Sequence, residues 1–329
     1  MKLEIMWAVK LTPVILVFML VLFPVSGMSG SVNEMAVFSA GQSPLQAMSS
    51  TPSEGYTLFA PMASGITYLI DNNGNAMHTW TSAYEPGLAV YLAEDGTLFR
   101  TAQTGTNPDF SAGGWNNCVQ RFSWNSTLLW QFNYSNSQYC GHHDIEVLPN
   151  GNMLMIAWEY KTTTEAIQAG RDPGSMTDGC LWPDHIIEVQ QTGLYSGDIV
   201  WEWHVWDHLV QDFDPAKDNF GVVADHPELM DINFVWDAAP DQDDWLHMNS
   251  IDFNPELDQI LLSSHNTHEV WIIDHSTTTA EAAGHTGGRY GKGGKEFGMP
   301  VALNDLSRDG GGFQPQSLAH VGLDRGINK

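Results

Sequence analysis

Two kinds of short hairpin alternate along this chain, and that alternation constrains its fold more than any other feature. One kind is a strand, a tight turn and a strand ending in Trp. It occurs as ITYLIDNNGNAMHTW (66–80), VQRFSWNSTLLWQF (119–132) and HIIEVQQTGLYSGDIVWEW (185–203), and EVWIIDHS (269–276) opens a fourth copy. The other kind occurs as AVYLAEDGTLFR (89–100), HDIEVLPNGNMLMIAW (143–158) and NSIDFNPELDQILLSS (249–264). Each is apolar alternation broken by Gly, Asn or Asp, the signature of a β-hairpin. Two hairpins make a four-stranded sheet, and a recurrence of about 50 residues is the spacing of propeller blades. The expected fold is therefore all-β, a β-propeller. A sandwich or single barrel would not explain why the two hairpin types keep their order.

The chain ends read differently. Lys2 and Lys10 precede an apolar run from Leu11 to Phe23, and small residues follow from Pro24 to Gly30. That order is a secretory signal peptide, and the run is shorter than the roughly 20 residues that span a bilayer. An uncleaved membrane anchor is the competing reading. The expected divisions are a leader at 1–28, a propeller at 29–294 and an irregular tail or incomplete blade at 295–329. After leader removal the protein is expected to be secreted or periplasmic, away from the membrane. The formal net charge of -26 argues against a nucleic-acid partner, because holding phosphates takes Lys and Arg. Cys118, Cys140 and Cys180 allow one disulfide in an oxidising compartment, with Cys118–Cys140 the first choice by proximity. The segment 203–244 breaks the repeat. It reads as an acidic loop, with a short helix expected over 208–220.

No phosphate-binding glycine loop, dinucleotide fingerprint or nucleophile elbow is present, and no cofactor is expected. Histidines instead mark the starts of repeat strands. His142 and His143 precede one strand, His247 opens another, and His265 ends the hairpin that follows. In a propeller the inner strands begin near one axis, so histidines far apart in sequence can share a pocket. Such a cluster can act as nucleophile, acid and base near neutral pH. Each histidine also has an ordinary structural reading, as a hydrogen-bond partner of an Asp in a neighbouring turn. For His78, His185, His204, His208, His226, His268, His275 and His285 that is the only reading. No HxH or HExxH spacing supports a zinc site. Asp241, Asp243 and Asp244 read as a solvated acidic loop that fails the calcium-loop pattern.

GHHDIEVLPNGNMLMIAWE (141–159) and DDWLHMNSIDFNPELDQILLSSHNTHEVWIID (243–274) resemble the bacterial arylsulfotransferases. The resemblance runs from about residue 55 to 294. It implies an exported six-bladed propeller that moves a sulfuryl group from an aryl sulfate donor to a phenolic acceptor through a sulfated histidine. By motif, the family's HHD histidine falls on His142 or His143, with His143 preferred, and its DWxHxNS histidine falls on His247. The resemblance makes these hydrogen-bond donors to the transferring group, with His265 as an accessory where the family has Arg. It places the nucleophile at His320, in LAHVGLDRG (318–326), although Ala319 stands where the family has Gln. The family continues past this point, so the chain is expected to be shortened. Two other readings remain open. One is a non-catalytic propeller that binds ligands through its loops. The other is a quinone-dependent propeller dehydrogenase, which lacks the expected tryptophan-docking repeat and a vicinal cysteine pair.

Overall fold

The hairpins join in pairs, in chain order. The structure, a computed structural model, describes residues 55–176, 178–234 and 243–295. These lie in the second of two units, Pro52–Lys329. The leader at 1–28 and all of the tail at 295–329 except Lys295 lie outside the described residues. The first sheet has three antiparallel strands, β1 (Tyr56–Phe59), β2 (Ile66–Asp71) and β3 (Ala76–Thr81). The second has four, β4 (Glu85–Leu92), β5 (Leu98–Gln103), β6 (Cys118–Phe122) and β7 (Leu128–Asn133).

The third sheet starts with β8 (Tyr139–Val147) and β9 (Met153–Glu159). An excursion then carries the short pair β10 (Lys161–Thr162) and β11 (Cys180–Leu181), with helix α1 (Thr163–Gln168) between them. Thr162 and Glu165 close a reciprocal capping box on α1, which satisfies amides that the first turn leaves unpaired. The sheet resumes with β12 (Asp184–Gly193) and β13 (Ser196–His204). A further pair, β14 (Leu209–Val210) and β15 (Met230–Asp231), runs parallel in the following loop. The fourth sheet is β16 (Met248–Asn254), β17 (Gln259–Ser264) and β18 (Glu269–Asp274), and a short helix α2 (Thr279–Ala282) follows it.

Alternation along each strand feeds two cores, one on each face. Leu98 and Phe122 pack with Leu69 and Trp80 of the first sheet. Their neighbours Phe99 and Val119 point the other way and pack with Ile145, Met155 and Val189 of the third. Leu154, Ile156 and Ile186 of the third sheet meet Ile251, Leu262 and Trp271 of the fourth. Because both faces are covered, β9 is buried along almost its whole length and reads as a continuous apolar run rather than a strict alternation.

The Trp that ends the first kind of hairpin recurs for a reason. Trp80 on β3 donates its indole N–H to the Ser123 carbonyl in the β6–β7 turn, at 3.2 Å. Trp130 on β7 donates to the Ser196 carbonyl of β13, at 3.0 Å. Trp201 on β13 donates to Thr277 Oγ1, just past β18, at 3.2 Å. Each sheet thus latches the last hairpin or strand of the next one. These tryptophans form a repeated contact between consecutive sheets. At the opposite edge the first strands gather, with β1 against β4, β4 against β8 and β8 against β16.

Two expectations are corrected. No α-helix spans 208–220. A 3-10 turn at Val205–Asp207 leads into β14, and Pro215 lies in the interval, where its ring and missing N–H oppose a helix. The buried Gln211 side chain organises this loop, accepting from the amides of Phe213 and Asp214 and donating to the carbonyls of Asp214 and Asp218. The expected Cys118–Cys140 bridge is also absent, and all three cysteines are free thiols. Cys118 lies on the second sheet and Cys140 on the third, and burial pushes the Cys118 thiol up to about 12. Among the described residues no helix is long and apolar enough to cross a membrane.

The latch makes a stability prediction. Trp130→Ala removes a fully packed indole and its donor, and should cost about 3–5 kcal/mol. Trp130→Phe keeps most of the bulk and should cost about 1 kcal/mol. Denaturant midpoints at constant slope measure both, and no loss in Trp130→Phe would show that the hydrogen bond is irrelevant.

Candidate active site

Backbone geometry makes the site before any side chain does. His142 and His143 lie in β8 where its pairing with β9 breaks after Gly141 and resumes at Ile145. His143 takes up the slack with φ 48, and its amide donates to the Gly114 carbonyl at 2.7 Å. His247 precedes β16 with φ 51, and its carbonyl accepts from the His265 amide at 3.0 Å. A left-handed backbone costs a non-glycine residue on the order of 1–2 kcal/mol. Both histidines bear that cost where first strands of neighbouring sheets meet. Gly114, also at positive φ, lies against the His143 ring, and a Cβ there would fall 2.1 Å from Cε1.

The result is a row of four imidazoles. Ring centroids are 5.3 Å apart for His142 and His143, 4.6 Å for His143 and His247, and 5.3 Å for His247 and His265. His142 Nδ1 is 3.0 Å from His143 Nδ1. His265 Nδ1 is 2.7 Å from Asn266 Oδ1. The row comes from three places in the chain: β8, the approach to β16 and the end of the β16–β17 hairpin. His320, expected to be the nucleophile, lies outside the described residues.

Two buried acids flank the row. Asp244 Oδ2 is 2.5 Å from His247 Nδ1, and its other oxygen accepts from the Trp158 indole at 2.9 Å. Trp158 also stacks flat beneath His142, at 4.0 Å. Asp184 Oδ1 is 2.8 Å from His142 Nε2, with both side chains 0% exposed. That contact is bent out of good hydrogen-bond alignment, and neither Asp184 oxygen has a better-aligned partner.

These surroundings push the histidines in opposite directions. Burial, reinforced by the charges of His142, His247 and His265, lowers His143 to about 3, so its ring is neutral at ordinary pH. Burial lowers His142 to about 3 as well. His247 is also opposed by burial, but its hydrogen bond to Asp244 and the charges of Asp244 and Asp184 outweigh this and raise it above the usual histidine value. A neutral imidazole and a readily protonated one therefore stand in contact. Neighbouring groups whose affinities for protons are pushed apart are the usual mark of an acid–base site.

The sequence reading missed Asp184, Trp158 and Asp244. Asp244, assigned above to a solvated acidic loop, is 5% exposed and holds His247. The signal was its spacing, three residues before the histidine in DWLH. Asp241 lies outside the described residues. Several histidines read as structural are indeed held by packing partners: His78 by the Trp124 carbonyl, His208 by the Ala282 carbonyl, and His275 between Glu188 and Asp258. Among the described residues no three His, Cys, Asp or Glu side chains converge to hold a metal. A cavity of about 510 Å³ reaches Gly114, which lies against the His143 ring, without being lined by any of the four histidines. Pro86, Leu88, Phe110 and Trp115 line it together with the polar Glu85, Gln103 and Asn107.

The electrostatics can be read directly. His247 is expected to titrate above the ordinary histidine value of 6.5, and Asp244→Asn should lower it, because the two Asp244 contributions that oppose burial are removed and only the charge of Asp184 remains. The sign for stability follows. The Asp244–His247 contribution is complete below the unfolded histidine value and is lost as pH rises through the higher folded one. Histidine proton–nitrogen NMR of the two proteins measures this, and a His247 value unmoved by Asp244→Asn would rule out the pairing as its cause.

Comparison with solved structures finds distant likenesses. A protein of unknown function from Bacteroides caccae is 11% identical at a TM-score of 0.36, over 68% of this chain and 55% of that one. Hydrazine synthase from Kuenenia stuttgartiensis is 12% identical at a TM-score of 0.38, over 69% and 53%. The chain thus spans a little over half the length of these proteins, and similarity this low carries no argument about function. No curated protein matches the chain significantly. The family model "Arylsulfotransferase (ASST)" matches residues 62–281. That span runs from the approach to β2 through the fourth sheet into α2 and takes in the whole histidine row, so the chain belongs to the arylsulfotransferase family.

Proposed function

We propose that this chain is an exported arylsulfotransferase built on a β-propeller, which passes a sulfuryl group from an aryl sulfate to a phenol through a sulfated histidine. The row His142–His143–His247–His265, in a member of this family, is the observation that carries the reading. The donor is an anion, and the chain has a net charge of -26, so the substrate needs a local cation. His247, kept protonated by Asp244, supplies it against the sulfuryl oxygens. His143 is neutral and donates a hydrogen bond to the bridging phenolic oxygen. That oxygen gains charge as the S–O bond breaks, so a fixed donor helps most in the transition state. His265 adds a polar edge at the end of the row. The cavity beside Gly114 receives the aromatic ring, and we assign the nucleophile to His320. The apolar leader and the acidic surface support export.

The assay mixes purified chain with 4-nitrophenyl sulfate, with and without phenol. Phenol-dependent release of nitrophenol is expected, abolished by His320→Ala and reduced about 100-fold or more by His247→Ala, the scale of losing one transition-state donor. Activity should decline as pH rises through the elevated His247 value. Gly114→Ala should also lower turnover, because a Cβ there displaces the His143 ring. Release that ignores phenol would point to hydrolysis instead, and no release at all would sink the transferase reading.

A further inference from the structure

The segment that carries Asp244 and His247 is held by its backbone, and one residue does most of the holding. Every carbonyl from Asp243 to His247 has a donor. That of Asp243 accepts from the Trp182 amide at 2.7 Å. Those of Asp244 and Trp245 both accept from Asn266 Nδ2, at 3.0 and 3.2 Å. That of Leu246 accepts from the Asn266 amide at 3.1 Å and from Ser264 Oγ at 2.8 Å, and that of His247 from the His265 amide at 3.0 Å. Asn266 is 4% exposed, whereas His265 beside it is exposed and ends the histidine row.

These contacts settle which way the Asn266 amide group faces. Carbonyl oxygens only accept, so the group that meets two of them must be the NH2. The other atom, Oδ1, therefore faces His265 Nδ1, at 2.7 Å. Oδ1 also only accepts, so His265 Nδ1 carries a hydrogen whether the ring is neutral or charged. The neutral ring then has its lone pair on Nε2.

A sulfuryl group is an anion whose oxygens accept and never donate. Against a neutral His265 those oxygens meet a lone pair. With a second proton, on Nε2, the same ring gives them a charge-assisted hydrogen bond. His247 differs, because Asp244 is turned to it and favours its charge before any substrate arrives. The titratable rings against His265 are His247, at 5.3 Å, and His268, at 6.2 Å, and its charge is felt as far as His143.

We propose that Asn266 makes His265 a proton-dependent ligand for the donor anion. The ring binds a sulfuryl oxygen only together with a proton taken from water onto Nε2, and it returns that proton to water when the group leaves. The identity of the anion rests on the transferase reading above. His265 makes the contact, and Asn266, which touches no substrate, is a positioning residue. Linkage sets the size of the effect. Where the free ring is neutral and the bound ring is charged, affinity for the anion falls about tenfold for each unit of pH. By reciprocity, a bound anion moves the titration of His265 to higher pH.

The test has two arms on the purified full chain. The first is histidine proton–nitrogen NMR with and without inorganic sulfate. Neutral His265 should carry its hydrogen on Nδ1, and sulfate should raise the pH at which the ring titrates. Asn266→Ala frees the ring to carry its hydrogen on Nε2 and donate while neutral, so the rise caused by sulfate should shrink. The second arm, which also provides the variant if Asn266→Ala does not fold, is the pH profile of KM for 4-nitrophenyl sulfate at saturating phenol. In the unmodified chain KM should climb toward about tenfold per pH unit once His265 is neutral. His265→Arg, a permanent cation, should lose that climb and keep only the part due to His247. A neutral His265 with its hydrogen on Nε2, a titration that sulfate leaves in place, or superimposable KM profiles for the two chains overturns the inference. An unmodified chain with no turnover overturns the transferase reading, and the NMR arm then decides this inference alone.

Discussion

The tryptophan latch between consecutive sheets is the contact on which the remainder depends. A sheet with apolar side chains on both faces is not stable alone and must be covered twice. Here each sheet buries one face on its predecessor and the other on its successor. The indoles of Trp80, Trp130 and Trp201 fix the register of those contacts, because each donates to a single acceptor on the next sheet. Burial supplies most of the driving force, at about 25 cal/mol per Å² of apolar surface. The indole N–H supplies direction, which burial does not.

Latching one edge of each sheet leaves the first strands to meet at the other edge, and the chemistry is found there. β8 and β16 pack together, and His143 in β8 and His247 just before β16 each have a left-handed backbone. The strain is local, and the surrounding sheets over-determine it. Because the rings touch, their environments are shared but not equal. Asp244 lies against His247 and charges it. Asp184 lies behind His142, 2.8 Å from its Nε2, and burial holds its carboxyl well above the usual carboxylate range. One small volume thus holds an imidazole raised above the usual histidine value, two lowered to about 3 and a buried acid raised above the usual carboxylate range.

Much of the fold was legible in the sequence, for a local reason. Strand, turn and strand are short-range events, and the turns DNNGN, EDGT and PNGN carry residues that tolerate turn backbones. The pairing of two hairpins into one sheet also followed, since neighbours in sequence are usually neighbours in a sheet. Where the reading failed, the deciding contacts were long-range. Asp244 looked like part of a solvated acidic run because nothing near it in sequence shows the Trp158 indole, 86 positions earlier, that buries it. Residues 208–220 looked helical until Gln211 is seen to organise them as a loop. Cys118 and Cys140 looked close because sequence distance hides that they lie on different sheets.

The sequence by itself determined the repeat, the all-β class, the family and which histidines to suspect, since periodicity, turn chemistry and motif are written residue by residue. Only the tertiary structure decided what those histidines are. Charge state and tautomer depend on what lies within a few ångströms, and for this row the deciding neighbours are Asp184, Trp158 and Asp244. They come from three separate segments that only the packing of the third sheet on the fourth brings together.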